Sequence, residues 1–235
     1  AMPEVSSQIA RIQQQITALQ AQIGALIKGT PAPAPQPAPA PQHRAHPHPH
    51  HHPKPVHKPK PAPQPHHPAK LDKPNVLSMP SPNFGDRPAG TKIDTIILHH
   101  TATSGTAQDT GKFFQNRAVQ VSAHYVVGKD GTIVQCVPDA KRAWHAGSSD
   151  FHGREDVNDF SLGIEIVNKG DSHDPYTDKQ YEALANLVAW MMQKYDVPMD
   201  RITGHRNVSH EGKIDPSNNF DWDRVRKLVN QKLGR

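Results

Sequence analysis

The 235-residue sequence has little of what specifies several common protein classes. It holds one cysteine, Cys136, and only 6% of its residues are aromatic. A single cysteine excludes an internal disulfide framework. No apolar run approaches the roughly 20 residues that a membrane-spanning helix needs. The first 30 residues also lack the basic-then-apolar order of a secretory signal peptide. We therefore expect neither a disulfide-stapled protein nor a membrane-spanning one, and no signal peptide is visible.

Proline, histidine and positive charge are concentrated in the first part of the chain. Residues 31–90 hold 19 of the 24 prolines, and nine of the 17 histidines fall between His43 and His67. Residues 1–90 carry nine lysines and arginines against three acidic residues, whereas residues 91–235 carry 18 against 19. The positive charge therefore belongs to the first ninety residues. We expect one folded domain over residues 91–235, which is long enough to bury a core.

A heptad pattern marks residues 1–29. Apolar residues recur there at alternating spacings of four and three: Val5, Ile9, Ile12, Ile16, Leu19, Ile23 and Leu26. So short a helix is marginal alone, so the pattern predicts a parallel coiled coil through residues 5–28. The isoleucine and leucine positions leave a dimer and a trimer open. A helix docked on the folded domain is the alternative.

Residues 30–90 are predicted to be a disordered linker rich in proline, histidine and lysine. Proline alternating with alanine, glutamine, histidine and lysine buries too little apolar surface to fold and favours extended polyproline II. Its positive charge suits anionic cell-envelope polymers, and residues 31–73 lack aromatic side chains for base stacking, which argues against specific nucleic-acid binding. The histidines from His46 to His52 either bind a divalent metal loosely or form a spacer that gains charge below about pH 6.5.

Strand and helix patterns alternate from about residue 92 onward. Strands are expected over four segments: 93–99, 124–127, 132–137 and 162–167. Helices are expected over three: 106–117, 178–195 and 222–233. Thr177 and Gln180 form a capping box before the second helix, whose inward apolar stripe is expected to consist of Tyr181, Leu184, Val188, Met191 and Tyr195. Interleaved strands and helices predict an α/β (α+β) domain with a single mixed β-sheet flanked by helices.

Residues that can bind a metal follow apolar segments in this domain. His99 and His100 end the first expected strand, His205 follows a short apolar segment, and Asp215 lies ten residues later. Two histidines and one carboxylate form a three-ligand zinc site with an open fourth position. Spacing alone does not connect positions so far apart in the chain.

Five segments carry a resemblance to a known family: TIILHHTAT, SAHYVVGKDGTIVQCV, AWHAG, NDFSLGIEIVN and GHRNVSHEGKIDP followed by FDW. In this order they resemble the type-2 N-acetylmuramoyl-L-alanine amidases. That superfamily includes the phage lysozyme-type amidases and the peptidoglycan recognition proteins. The resemblance covers about residues 91–235. It implies a Zn²⁺-dependent hydrolase that cleaves the amide bond between N-acetylmuramic acid and L-alanine of peptidoglycan.

The resemblance also implies the metal ligands. They fall on His99, His205 and Asp215, because the family's first ligand is the histidine directly after the apolar strand. His100, at a position that varies among family members, is then expected to be a packing residue or a residue that supports the ligands.

Two further residues match the family's catalytic groups. Glu165 matches the catalytic glutamate of the bacterial members, and Lys213 matches the catalytic lysine. Phage members carry a catalytic tyrosine where this sequence has Ala123, so the acid–base role passes to Glu165. It would accept a proton from water and deliver it to the leaving amine, while Lys213 and zinc stabilise the carbonyl oxygen.

Three further residues are candidates for binding the substrate: His124, Trp144 and His145. Each also has a structural interpretation, since a buried tryptophan or a satisfied core histidine fits the same patterns. Cys136 alternates with Val134 on an expected strand and is interpreted as a core thiol.

The favoured function is a phage endolysin or another lytic enzyme acting on the bacterial cell wall, from the host periplasm or from outside. A bacterial wall-recycling or autolytic enzyme is an alternative, although a cytosolic recycling enzyme would hardly need a coiled coil and a long tether. One alternative is a non-catalytic peptidoglycan-binding module on the same fold, although such relatives usually lack a zinc ligand. Another is an oligomeric attachment protein that carries a hydrolase.

Overall fold

The structure, a computed structural model, describes residues 70–235. The predicted coiled coil over residues 1–29 and the linker up to residue 69 lie outside the described residues. The ten strands of the described part are β1 (Leu77–Ser78), β2 (Phe84–Asp86), β3 (Thr95–His100), β4 (Tyr125–Val127), β5 (Ile133–Gln135), β6 (Lys141–Ala143), β7 (Asp150–Phe151), β8 (Arg154–Glu155), β9 (Ser161–Ile166) and β10 (Ile202–Gly204). Its three α-helices are α1 (Ala107–Phe114), α2 (Asp178–Tyr195) and α3 (Trp222–Lys232).

Six strands form one mixed sheet in the order β1-β5-β4-β9-β3-β10. The β4–β5 hairpin is antiparallel, and all other neighbours in this sheet are parallel. Two-stranded ribbons, β2–β6 and β7–β8, accompany it within residues 70–235. The predicted α/β domain with a mixed sheet flanked by helices is confirmed.

Both faces of the sheet are covered, which explains the nearly continuous apolar run of β3. All six residues of β3 are buried, as expected for a parallel strand between two helical layers. Helix α2 packs with α3 on one face, over side chains such as Leu98, Ile164 and Tyr125. Helix α1 covers Val126 and Val134 on the other face.

The sequence predicts α2 correctly, from its cap to its buried stripe. Thr177 Oγ1 accepts a hydrogen bond from the Gln180 amide at 3.1 Å, and Gln180 Oε1 accepts one from the Thr177 amide at 3.0 Å. Four members of the predicted apolar stripe are buried and Tyr195 is half-buried: Tyr181, Leu184, Val188 and Met191. No helix of the described part has the length and apolar character to cross a membrane.

The folded unit begins earlier than residue 91, which corrects the predicted linker boundary. Strand β1 pairs with β5, and the buried Asn83 amide donates to the carbonyl oxygens of Phe114, Asn116 and Val121. The high proline content of this segment suggested disorder. Its few polar side chains instead satisfy buried backbone groups of the domain, which holds the segment in place.

The start of the described chain contacts α2. The Leu71 amide donates to Gln193 Oε1 at 2.6 Å. Lys73 Nζ lies 5.3 Å from the ring centroids of both Tyr125 and Trp190. This segment is therefore attached on the sheet face that carries α2.

Candidate active site

The three predicted metal ligands converge at the carboxyl edge of the parallel strands. His99 lies near the end of β3, and His205 directly follows β10, which pairs with β3 in parallel. Asp215 Oδ2 lies 2.9 Å from His99 Nδ1 and 3.1 Å from His205 Nδ1. One ligand atom from each of these buried residues lies within 4.8 Å of the others.

Backbone contacts bring the Asp215 loop to the end of β10. A Cβ at Gly204 would lie 2.8 Å from Pro216 Cδ, so this close approach requires glycine. The Arg206 amide donates to the Asp215 carbonyl at 3.0 Å, and its guanidinium donates to the carbonyls of Ile214 and Pro216. The loop is therefore held on both sides of the carboxylate.

The atoms that converge are hydrogen-bond acceptors. His205 Nε2 lies 3.2 Å from the Ala146 carbonyl, which can only accept, so a ring with one proton carries it on Nε2 and has its lone pair on Nδ1. Burial and the neighbouring His205 lower the pKa of His99 to about 4, so this ring is neutral near pH 7.

This donor set fits a zinc ion. Imidazole nitrogens and a carboxylate oxygen are zinc ligands, and three protein ligands are typical of a catalytic site. An ionised carboxylate that faces a ring-nitrogen lone pair needs a positive charge between them. Among the described residues, this is the one group of three or more such side chains that could hold a metal ion.

Glu165 lies beside this cluster on β9. In the parallel pairing of β3 with β9 it is the partner of His99. The residue is partly exposed, yet its Oε2 atom is buried and has no hydrogen-bond partner among the described residues. Burial and the negative charge of Asp215 raise its pKa to about 8, against the opposing effect of Lys213. An unpaired buried carboxyl oxygen is rare and indicates a functional role.

Lys213 lies at the rim of the site. Its side chain is about one-quarter exposed, and Nζ lies 3.3 Å from Glu211 Oε2. Its positive charge lowers the pKa of Glu165, which opposes the larger effects of burial and Asp215.

His100 lies on the other face of β3, as the alternation of a strand requires. A Cβ at Gly170 would overlap its ring, and its Nδ1 atom is buried without a partner among the described residues. It therefore packs away from the ligand cluster.

The three predicted substrate-binding residues occupy different positions. His145 Nδ1 lies 3.0 Å from His99 Nε2, so this ring contacts a predicted ligand directly. Trp144 is half-buried, with its backbone bonded to Ser122 and its indole nitrogen near Gly85. Its contact with substrate stays a prediction.

His124 is a structural residue, which corrects its assignment to the cleft. The ring is fully buried, Nδ1 accepts a hydrogen bond from the Gly163 amide at 2.9 Å, and Nε2 lies 3.0 Å from the Lys141 carbonyl. Burial and the charge of Arg87 lower its pKa to about 4. Both ring nitrogens are thus satisfied inside the domain and neither can meet a substrate.

Sequence reasoning missed two residues that support the site. The Arg87 guanidinium donates at 2.7 to 3.2 Å to four backbone carbonyls, those of Asp139, Asn158, Asp159 and Ser161. Asn158 Oδ1 accepts from the amides of His145 and Ala146 at 3.1 and 2.9 Å. Arg87 lies in a proline-rich segment without periodicity, so no pattern marks it.

Comparison with known proteins decides the family. The family model described as N-acetylmuramoyl-L-alanine amidase matches residues 89–218, which is more than half of the chain. The chain belongs to this amidase family. The match also confirms the predicted class of enzyme.

Individual relatives agree with this assignment. The amidase is 41% identical over 167 residues to the 1,6-anhydro-N-acetylmuramyl-L-alanine amidase AmpD of Salmonella typhimurium (strain SL1344), covering 64% of this chain and 88% of AmpD. It is 31% identical over 161 residues to the N-acetylmuramoyl-L-alanine amidase AmiD of Escherichia coli K12, covering 61% of this chain and 54% of AmiD. The crystal structure of a selenomethionine AmpD derivative matches with a TM-score of 0.58 at 34% identity, covering 68% of this chain and 98% of that one.

Proposed function

We propose that this amidase is a zinc-dependent hydrolase of the bond between N-acetylmuramic acid and L-alanine in peptidoglycan. The observation that carries the proposal is the convergence of His99, His205 and Asp215 within 4.8 Å, beside a glutamate with an unpaired buried oxygen. The names of AmpD and AmiD, both amidases of muramyl-L-alanine bonds, support the choice of bond.

The residues around the cluster suit hydrolysis of an amide. Zn²⁺ bound by such ligands supplies a Lewis acid that polarises a carbonyl oxygen and makes water more acidic. Glu165 accepts a proton from the attacking water and passes it to the leaving amine of L-alanine. A Zn²⁺ ion held by Asp215 would offset the negative charge of that carboxylate. Because this charge helps to raise the pKa of Glu165 to about 8, the pKa would fall toward neutral pH, where a carboxyl group both accepts and releases protons.

Lys213 supplies the remaining charge. Its ammonium stabilises the negative charge that develops on the substrate carbonyl oxygen, and losing such a donor typically costs about 3 kcal/mol of barrier. In the absence of substrate it pairs with Glu211 at 3.3 Å. That pair is half-exposed and therefore weak, so substrate can displace it.

A peptidoglycan-binding module without hydrolysis fits these residues less well. It would not need Glu165 to hold an unpaired carboxyl oxygen in a buried position, which costs stability. The predicted ligand set is also complete, whereas such modules usually lack a ligand.

We propose further that the substrate is the intact bacterial cell wall and that the enzyme is lytic, as a phage endolysin is. The predicted coiled coil would make the enzyme an oligomer through residues 5–28, and the predicted basic linker would contact anionic envelope polymers. Both predictions support this role. A second candidate is the hydrolysis of soluble 1,6-anhydro-muramyl peptides, which the 41% identity to AmpD favours.

Digestion of purified peptidoglycan and of a soluble 1,6-anhydro-muramyl peptide tests these proposals. We expect new N-terminal alanine without new reducing sugar, loss of the reaction with chelator, and recovery with added Zn²⁺. His205→Ala, which lacks one ligand, should stay inactive after zinc is added. Full activity in chelator would overturn the zinc proposal. Cleavage of the soluble fragment alone would favour the second candidate over the lytic role.

Size measurement tests the oligomer separately. A chain that begins at residue 70 keeps every described contact of the domain. We expect it to be a monomer with unchanged activity on the soluble peptide, whereas the full chain self-associates. Equal sizes for the two chains would contradict a coiled coil over residues 5–28.

A further inference from the structure

A serine hydroxyl starts a chain of hydrogen bonds that ends at the predicted metal ligands. Ser161 Oγ lies 2.6 Å from the Val157 carbonyl oxygen. A carbonyl only accepts, so the hydroxyl proton points to Val157. Ser161 Oγ is therefore an acceptor toward His145 Nε2, which lies 3.1 Å away.

This direction fixes the protons of two imidazole rings. His145 donates from Nε2 to Ser161, so a ring with one proton has its lone pair on Nδ1. That lone pair lies 3.0 Å from His99 Nε2, which must then be the donor. His99 in turn keeps a lone pair on Nδ1, the atom 2.9 Å from Asp215 Oδ2.

The face of β9 positions this relay. Ser161, Gly163 and Glu165 alternate along the strand and therefore emerge on the same face. A Cβ at Gly163 would overlap the His145 ring, so glycine leaves the space that the ring fills. The ring also makes an edge contact with His99, with centroids 5.1 Å apart. Alternate positions of the segment Ser-Leu-Gly-Ile-Glu thus supply a hydrogen-bond acceptor at Ser161, space for the His145 ring at Gly163 and a carboxylate at Glu165.

We propose that His145 is a positioning residue, which together with Ser161 holds the His99 proton on Nε2 and directs the Nδ1 lone pair to the metal. The inference rests on the proposed zinc site, and it assigns a specific role to His145, the histidine of the segment Ala-Trp-His-Ala-Gly. Without the acceptor, His99 is free to place its proton on Nδ1 and bond Asp215, which competes with the metal. Partners that orient a ligand in this way typically contribute 10- to 100-fold to metal affinity.

Paired substitutions separate this role from packing. His145→Leu fills the space but removes the acceptor, whereas His145→Asn places an amide oxygen near the position of Nδ1. We expect His145→Leu to raise the Kd for Zn²⁺ about 10- to 100-fold, as measured by competition with a chromophoric chelator. His145→Asn should recover most of that loss. His210→Leu, at an exposed histidine outside the relay, serves as the control and should bind zinc as the unmodified enzyme does.

A second pair changes only the hydroxyl. Ser161→Ala should weaken zinc binding, whereas Ser161→Thr, which keeps the hydroxyl, should bind zinc about as tightly as the unmodified enzyme. The relay would be overturned if His145→Leu and His145→Asn bound zinc with equal affinity. It would also be overturned if His145→Leu and Ser161→Ala bound zinc as tightly as the unmodified enzyme. In both cases tight binding by the unmodified enzyme would leave the zinc site itself intact. Failure of the unmodified enzyme to bind zinc would overturn the proposed function and the relay together.

Discussion

His99 and Glu165 are direct partners in the parallel pairing of β3 with β9. Their side chains therefore emerge side by side on one face of the sheet, and the backbone ladder fixes the distance between the predicted metal ligand and the predicted proton carrier. A separation set by backbone hydrogen bonds is more rigid than one set by loops. The two predicted roles are thus aligned by the fold itself.

Replacing Glu165 should separate metal binding from turnover. Glu165→Gln keeps the shape of the side chain but cannot accept a proton, so we expect turnover to fall about 10²- to 10⁴-fold with zinc content unchanged. Release of N-terminal alanine and metal analysis of the purified protein measure the two effects. Glu155→Gln, at an exposed glutamate, is the matched control. Turnover in Glu165→Gln equal to that of the control would remove Glu165 from the mechanism.

Replacing Lys213 should weaken stabilisation of the transition state. Lys213→Met keeps the aliphatic stem and removes the charge, and we expect kcat to fall about 10²- to 10³-fold with little change in zinc affinity. Lys227→Met, at an exposed lysine of α3, should have the activity of the unmodified enzyme. A change in KM alone would assign Lys213 to substrate binding rather than to charge stabilisation.

The stability contributed by His124 should depend on pH. Its folded pKa of about 4 lies below the ordinary value of 6.5, so below pH 6.5 the unfolded chain binds a proton that the folded protein excludes. The advantage of His124 over His124→Gln should therefore be full above pH 6.5 and decline, by about 3 kcal/mol at most, as pH falls to 4. Urea unfolding in chelator at several pH values measures it. A pH-independent difference for His124→Gln would refute the explanation.

Residues 70–90 should contribute to the stability of the domain. A chain that begins at residue 91 lacks β1, β2 and Arg87, so we expect a lower Tm than for a chain that begins at residue 70. Arg87→Met alone should cost about 3 kcal/mol or more, because several buried carbonyls lose their donor. Arg117→Met, at an exposed arginine, is the control. Equal Tm values for the two truncated chains would place the boundary at residue 91 after all.

Local patterns predicted the elements whose residues carry their own periodicity. Strands β3 and β9 follow from apolar runs, and α2 follows from the Thr177 capping box and its apolar stripe. Strands of two or three residues, such as β1, β6 and β10, have too few positions to show alternation. They form because strands distant in the sequence offer edges to pair with, namely β5 for β1, β2 for β6 and β3 for β10, and this information lies elsewhere in the chain.

The site depended on contacts between distant residues. His99, His205 and Asp215 come together only because β10 pairs in parallel with β3, a pairing that no spacing in the sequence specifies. The family resemblance supplied it. His124 was assigned to the cleft because its partners, the Gly163 amide and the Lys141 carbonyl, are backbone groups that leave no mark on the sequence. The alternation of Ser161, Gly163 and Glu165, in contrast, was visible and could have indicated a functional face.

The attachment of Leu71 and Lys73 has a mechanical consequence. These residues contact Gln193, Trp190 and Tyr125, on the face of the sheet opposite to Glu165. A pull exerted through the preceding segment would therefore load the end of α2 first. The ladder between β3 and β9 begins three strand positions away from β1 in the sheet, so it is not the first part of the domain to bear that tension.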